Sequence, residues 1–209
     1  MQKLTEMLRD STNYVFNFPL AYHKRVIDAI RTYDSQPFCN VADICDKIVQ
    51  LRNLVEAHYS LNSASGNHAK EIETNWNLLL NQVRALRLED SPVVQATSLA
   101  MELILYLSWD TQLQTNLTHL ASELKEALHR LPFRPCLFMD LTSCQLMLGA
   151  IAAGEGSHIR AWFVARLRRA VLVLRCRGWA RPLEILEKSF MPSSNLKARF
   201  TMLWNELDS

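Results

Sequence analysis

The stretch from Pro92 to Ser108 is apolar on nearly every side of a helical projection, and Glu102 is its only charge. An amphipathic helix can lie on a surface, but a helix that is apolar all round has no face to offer water and must be enclosed by other elements. The segment therefore demands a chain long enough to wrap it, and 209 residues suffice. A second segment of the same character, Phe138 to Ala153, has Asp140 as its only charge.

What surrounds these segments reads as helix. Five glycines and seven prolines leave too little turn chemistry for a β-rich fold. Ile44, Ile48, Leu51 and Val55 recur every three or four residues, giving one buried face to a helix that Asn40 would cap and that would end near Leu61. Asn62 to Asn67 is a polar loop. A helix from about Ala69 to Leu88 follows, with Trp76, Leu80 and Val83 inward.

Ser91-Pro92 is a cap followed by a proline at the first helical position. A helix from about Asp110 to Leu131 is broken by Pro132 and Pro135, and Ser157 caps the next one, which runs to about Arg177 ahead of Gly178. Weaker periods suggest helices over Met1–Phe16, Leu20–Tyr33, Pro182–Phe190 and about Asn195–Leu207, with Ser35-Gln36-Pro37 closing the second. The expectation is an all-α, single-domain array over residues 1–209. It has about nine helices around the two apolar ones.

Composition narrows the function classes. A net charge of +2 does not demand nucleic acid or an acidic membrane as partner. Neither apolar segment reaches the length of a membrane span. Met1 to Glu6 lacks the apolar stretch of a secretory leader, and five cysteines at irregular spacing (Cys39, Cys45, Cys136, Cys144, Cys176) read as reduced thiols. An intracellular protein, cytoplasmic or nuclear, is expected.

The C-terminal third carries a distinctive pattern. Leu146-Met-Leu-Gly-Ala-Ile-Ala-Ala153 is followed by Arg160-Ala-Trp162-Phe163, then Gly178-Trp179, then Leu186-x-x-Ser-Phe190 and Leu203-Trp204-x-Glu206. Residues 136–207 resemble the closing segment of the fungal-specific transcription factor domain, the regulatory region of zinc-cluster transcription factors. That family shows an apolar Gly-Ala-Ala helix, an Arg-x-Trp-Phe helix start, a Trp-centred turn and a terminal Leu-Trp-x-Glu. The chain departs from it at Ser189-Phe190-Met191, where Phe-Leu-Trp is usual. The resemblance implies an α-helical array that regulates activity and can bind small effectors. In it Arg160 anchors a helix end, and Trp162, Phe163, Trp179 and Trp204 fill core.

The zinc-cluster DNA reader itself is not in the sequence. Such a cluster needs six cysteines in two groups, because two zinc ions share thiolates. Cys39-x5-Cys45 is the only close pair, so no metal site is expected. Gly154-x-Gly156 follows a helix and lacks the third glycine of a dinucleotide turn, and no phosphate loop or nucleophile elbow occurs. No cofactor is expected either.

Seven arginines and no acidic residue lie between Gly156 and Pro182 (Arg160, Arg166, Arg168, Arg169, Arg175, Arg177, Arg181). They scatter beside the helix's apolar stripe of Phe163, Leu167, Ala170, Val171 and Leu174. A solvated or salt-bridged helix is the ordinary reading, and an acidic protein partner is the functional one, ahead of nucleic acid.

Polar residues on apolar helices are the remaining candidates. Glu102, Asp140 and His158 are either structural, through ion pairs or caps, or hydrogen-bond and proton donors inside a bundle cavity of about 300–1,000 Å³. Met101, Tyr106, Trp109, Met147 and Trp162 would line such a cavity or else belong to the core.

Two functions follow, the first favoured and the second its alternative. One is a repurposed fold that binds a hydrophobic metabolite and shapes it for cofactor-free cyclisation, such as a Diels–Alder reaction in a fungal natural-product pathway. The other is a transcriptional co-regulator without a DNA-binding domain of its own.

Overall fold

A computed structural model describes residues 36–60, 66–108, 117–131, 139–176 and 194–208. Among these residues every regular element is helical. There are seven α-helices: α1 (Gln36–Ser60), α2 (Gly66–Ala85), α3 (Pro92–Ser108), α4 (Leu117–Arg130), α5 (Met139–Ala152), α6 (His158–Cys176) and α7 (Ser194–Asp208). A single 3-10 turn, Leu86–Leu88, extends α2. The helices expected over Met1–Phe16, Leu20–Tyr33 and Pro182–Phe190 lie outside the described residues.

Local chemistry sets several boundaries. Ser91 opens α3, accepting the Val94 amide on Oγ at 3.5 Å and the Gln95 amide on its carbonyl at 2.9 Å. Ser157 opens α6 in the same way, with the Arg160 amide on its Oγ at 3.1 Å. The tight connection before it is closed by Gly156, whose φ of +73° favours a residue without Cβ.

The start of α1 differs from the expected one. The helix begins at Gln36 rather than at an Asn40 cap. Pro37 therefore sits in the first turn, where its missing N–H costs no intrahelical bond, and Asn40 is carried inside the helix. Similarly α2 begins at Gly66, within the stretch read as loop.

α3 packs against α1, α2, α4 and α5. Its residues from Ala96 to Leu105 are all buried, as are Ser143 to Ala150 of α5. Two apolar clusters meet on α3. Val94, Met101 and Leu105 project to one side, against Ile44, Leu51 and Val55 of α1 and Ile72, Trp76 and Val83 of α2. Ala96, Leu99, Leu103 and Ile104 project to the other, against α4, α5, α6 and α7. This divided packing gives physical content to the all-round apolar character of the segment: each side belongs to a different core.

α5 and α6 approach closely at Gly149. Phe163 is 0% exposed, and its ring occupies the space a side chain at position 149 would need, so a Cβ built on Gly149 would overlap it. Gly149 thus has a packing reason in mid-helix, where glycine costs about 1 kcal/mol relative to alanine. We expect Gly149→Ala to destabilise the protein, because the roughly 1–3 kcal/mol of overpacking exceeds that helix-propensity gain. Thermal unfolding followed by circular dichroism checks it; a melting temperature equal to or above wild type would show that the ring can move aside.

Candidate functional site

Between the two apolar faces of α3 runs a narrow polar stripe: Gln95, Ser98, Glu102 and Tyr106, spaced three or four residues apart. The C-terminal end of α2 and its 3-10 extension lie over this stripe. Ser98 Oγ donates to the Val83 carbonyl at 2.6 Å, and Gln95 Nε2 donates to the Glu89 carbonyl at 2.8 Å. At the far end Trp76 Nε1 donates to the Leu105 carbonyl at 2.9 Å, while its ring meets Tyr106 edge-on with centroids 5.3 Å apart.

Glu102 sits in the middle of the stripe and is 1% exposed. Arg84 donates to its Oε1 from Nε at 3.0 Å and from Nη2 at 2.9 Å, and Nη2 also reaches the Tyr106 hydroxyl at 3.0 Å. Arg87 Nη2 donates to Oε2, and its Nη1 lies 3.5 Å from Glu123 of α4. Both carboxylate oxygens are therefore taken by guanidinium donors. For Arg84 the largest influence, burial, opposes its charge, yet the bonds to Glu102 and Tyr106 outweigh it and hold the guanidinium above its ordinary pKa. The cations also sit at the C-terminal end of α2, where the helix dipole favours positive charge.

A second polar node ties the C-terminal helices. Arg160 of α6 donates from Nη1 to the Ala150 carbonyl near the end of α5 at 2.7 Å, and from Nη2 to Glu206 of α7 at 2.5 Å. Arg168 Nη2 donates to the Glu206 backbone carbonyl at 3.2 Å. Three segments of the C-terminal third thus converge: the end of α5, the start of α6 and α7.

Trp162 lies at the border of α4 and α6, half-buried. His129 stacks on it with centroids 5.7 Å apart, the Arg166 guanidinium stands 4.4 Å from the ring centroid, and Lys125 Nζ stands 6.0 Å away. On the inner side its ring meets Phe163 at 5.0 Å, edge-on. Cation–π contacts of this kind contribute about 0.5–1 kcal/mol at exposed sites.

The candidate residues of the sequence are therefore dispersed. Glu102 is bound within the α2–α3 seam. His158 is exposed at the start of α6. Met101 belongs to the cluster of α1, α2 and α3, whereas Met147 belongs to the cluster on the other side of α3. Tyr106 is held by Arg84 and Trp76, and Trp162 faces the α4–α6 border. Trp109 and the side chain of Asp140 lie outside the described residues. What sequence reasoning missed is the pairing of Glu102 with Arg84 and Arg87. The signal available was the spacing of the polar stripe on an otherwise apolar helix.

Among the described residues no group of three or more His, Cys, Asp or Glu could hold a metal ion, and no helix is long and apolar enough to cross a membrane. Cys144 is buried on α5, and Cys45 is partly buried on α1; neither is in a disulfide. Burial pushes the Cys144 thiol up to about 12, with the Cys45 thiol adding to the effect; Cys45 is likewise pushed up to about 12 by burial and then by Asp46. These are neutral packing groups across the physiological range rather than nucleophiles.

Comparison with known proteins found no matching protein-family model, no matching curated protein and no matching solved structure.

Two expectations follow from this geometry. Glu102→Gln leaves two guanidinium groups without their carboxylate. Because Arg84 and Arg87 are 48% and 29% exposed they can turn partly to water, so the loss should be about 1–3 kcal/mol, below the ~3–5 kcal/mol of a fully enclosed pair. Arg84→Met should cost less, since Arg87 still holds Glu102. Chemical denaturation measures both, and an unchanged midpoint for Glu102→Gln would show that the pairing adds nothing.

The thiols set an alkaline limit. Their folded pKa lies above the ordinary value of 9.0, so their contribution is fully present below pH 9 and is lost as pH rises from about 9 to about 12. Between pH 8 and pH 10 the unfolded thiolate gains about 1.4 kcal/mol per buried cysteine. Cys144→Ala should lose correspondingly less stability than wild type over that interval. Equal losses in paired denaturation curves would contradict the assignment.

Proposed function

We propose that this chain acts through protein contacts, as a helical regulatory module of the type that the fungal-specific transcription factor domain represents. The observation that carries this reading is the state of Glu102. The one charged side chain found buried among the described residues is engaged on both oxygens by Arg84 and Arg87, so it braces helices instead of presenting a proton or a hydrogen bond to a substrate.

The junction of Arg160, Ala150 and Glu206 supports the same view. Arg160 acts here as an anchoring group and Phe163 as a core group, the roles the resemblance implies for them, while Trp179 and the side chain of Trp204 lie outside the described residues. On this reading the whole chain is an array of about nine helices around two apolar ones, working in the cytoplasm or nucleus.

The resemblance also allows a repurposed fold that folds a hydrophobic metabolite for cofactor-free cyclisation. That chemistry needs an apolar chamber with a polar group turned into it. Glu102 is not free for the task and His158 faces outward, so the co-regulator is the better supported of the two.

The test is a reporter assay in which the full chain is fused to a heterologous DNA-binding domain. A change in reporter output relative to the DNA-binding domain alone is expected. An inert fusion would overturn the proposal, and cyclisation of a linear polyene by the purified chain would then favour the enzyme.

A further inference from the structure

The outward face of α6 is formed by His158, Ala161, Ala165, Arg168, Arg169 and Leu172, all exposed and falling along one side of the helix. Leu172 is 61% exposed, a large apolar group in an otherwise basic row. No acidic residue occurs anywhere in α6. The helix carries five arginines, and the structure separates them by use. Arg160 is consumed by Glu206 and the Ala150 carbonyl, and Arg166 lies on Trp162. Arg168 is exposed although one nitrogen reaches the Glu206 carbonyl, and Arg169 extends from the same turn. At the border with α4, Lys125 beside Trp162 adds a further cation.

Resting on the protein-contact function proposed above, we infer that this face docks an acidic amphipathic helix of a partner protein. Its carboxylates would meet Arg168, Arg169 and Lys125, and an apolar residue would cover Leu172. The charge balance gives the direction. From Gln36 to Ser108 the chain has eight acidic and five basic residues, whereas α6 has five basic and none acidic, so positive potential is concentrated on this helix while the net charge is only +2.

Complementary charge steers encounter and selects partners, while a desolvated apolar contact supplies affinity. A nucleic-acid backbone would use the arginines but gain nothing from Leu172. An acidic helix with apolar residues three and four apart uses both features.

The test uses the full chain and a fluorescein-labelled synthetic 18-residue peptide (about five helical turns) with leucines at helical spacing and glutamates elsewhere. Three comparison probes accompany it: the same peptide with lysines for glutamates, an all-glutamate peptide, and a single-stranded oligonucleotide. Fluorescence anisotropy should show binding of the acidic amphipathic peptide in preference to all three. The double variant Arg169→Glu with Leu172→Asp should weaken that binding about tenfold or more, as loss of a central contact does. Both positions are exposed, and circular dichroism verifies that the variant keeps its helices.

Absence of binding, equal binding by the variant, or tighter binding of the oligonucleotide would each overturn the inference. So would a sedimentation shift showing that the variant abolishes self-association of wild type, since the face would then belong to a second copy. The reporter fusion separates the two proposals. An active fusion unaffected by the double variant removes the α6 surface and leaves the regulatory function standing, whereas an inert wild-type fusion removes the function itself.

Discussion

A carboxylate in an apolar interior is costly unless donors replace the water it has lost, and the arrangement of helices around α3 follows from how Glu102 meets that requirement. Its two oxygens fix where Arg84 and Arg87 must stand, and so fix where α2 ends and how its 3-10 extension turns. Ser98 and Gln95 bond to carbonyls of the same region, so the backbone groups left over at the end of α2 find partners on α3. Arg87 then reaches Glu123 of α4 and links the seam to the second half of the protein. Apolar packing alone is tolerant of rotation, and this polar line limits the registers in which α2 and α3 can meet.

The Arg160 node performs a related task at the other end. The Ala150 carbonyl, close to the C-terminus of α5, is capped by a side chain from the next helix, and the same guanidinium holds α7 through Glu206. With Phe163 lying over Gly149, the connection between α5 and α6 is fixed by a close apolar approach and a charged clasp one turn away. Both devices are intramolecular, and the second withdraws Arg160 from the exposed arginines of α6.

Much of the fold could be read from residue spacing. Ile44, Leu51 and Val55 on α1, Trp76, Leu80 and Val83 on α2, and Phe163, Leu167 and Ala170 on α6 are buried as their periodicity indicated. Ser91 and Ser157 open helices as capping chemistry requires. The start of α1 departs from the expected Asn40 cap because proline, which can stop a helix, is equally at home in a first turn.

The site was far less legible. Periodicity reports which face is buried but not which partner a buried charge will find, and that depends on where two helices cross. Thus Glu102 was recognisable as an anomaly, while its pairing with Arg84 and Arg87, eighteen and fifteen positions earlier, was not. Trp162, expected in the core or lining a cavity, is half-buried at the α4–α6 border. Its neighbours Lys125 and His129 come from a different helix, which no local pattern in α6 reveals.

The double role of α3 bears on how the molecule unfolds. Because one side of the helix completes the cluster with α1 and α2 and the other completes the cluster with α4 to α7, neither cluster can dissolve while the other keeps a fully buried α3. Exposing either side puts large apolar groups into water and removes the support of the opposite side. The two clusters are thereby coupled into one cooperative unit. The amide hydrogens of α3 should then be the last to exchange with solvent, opening only when both clusters come apart, while helix ends farther from it should open in smaller, independent steps.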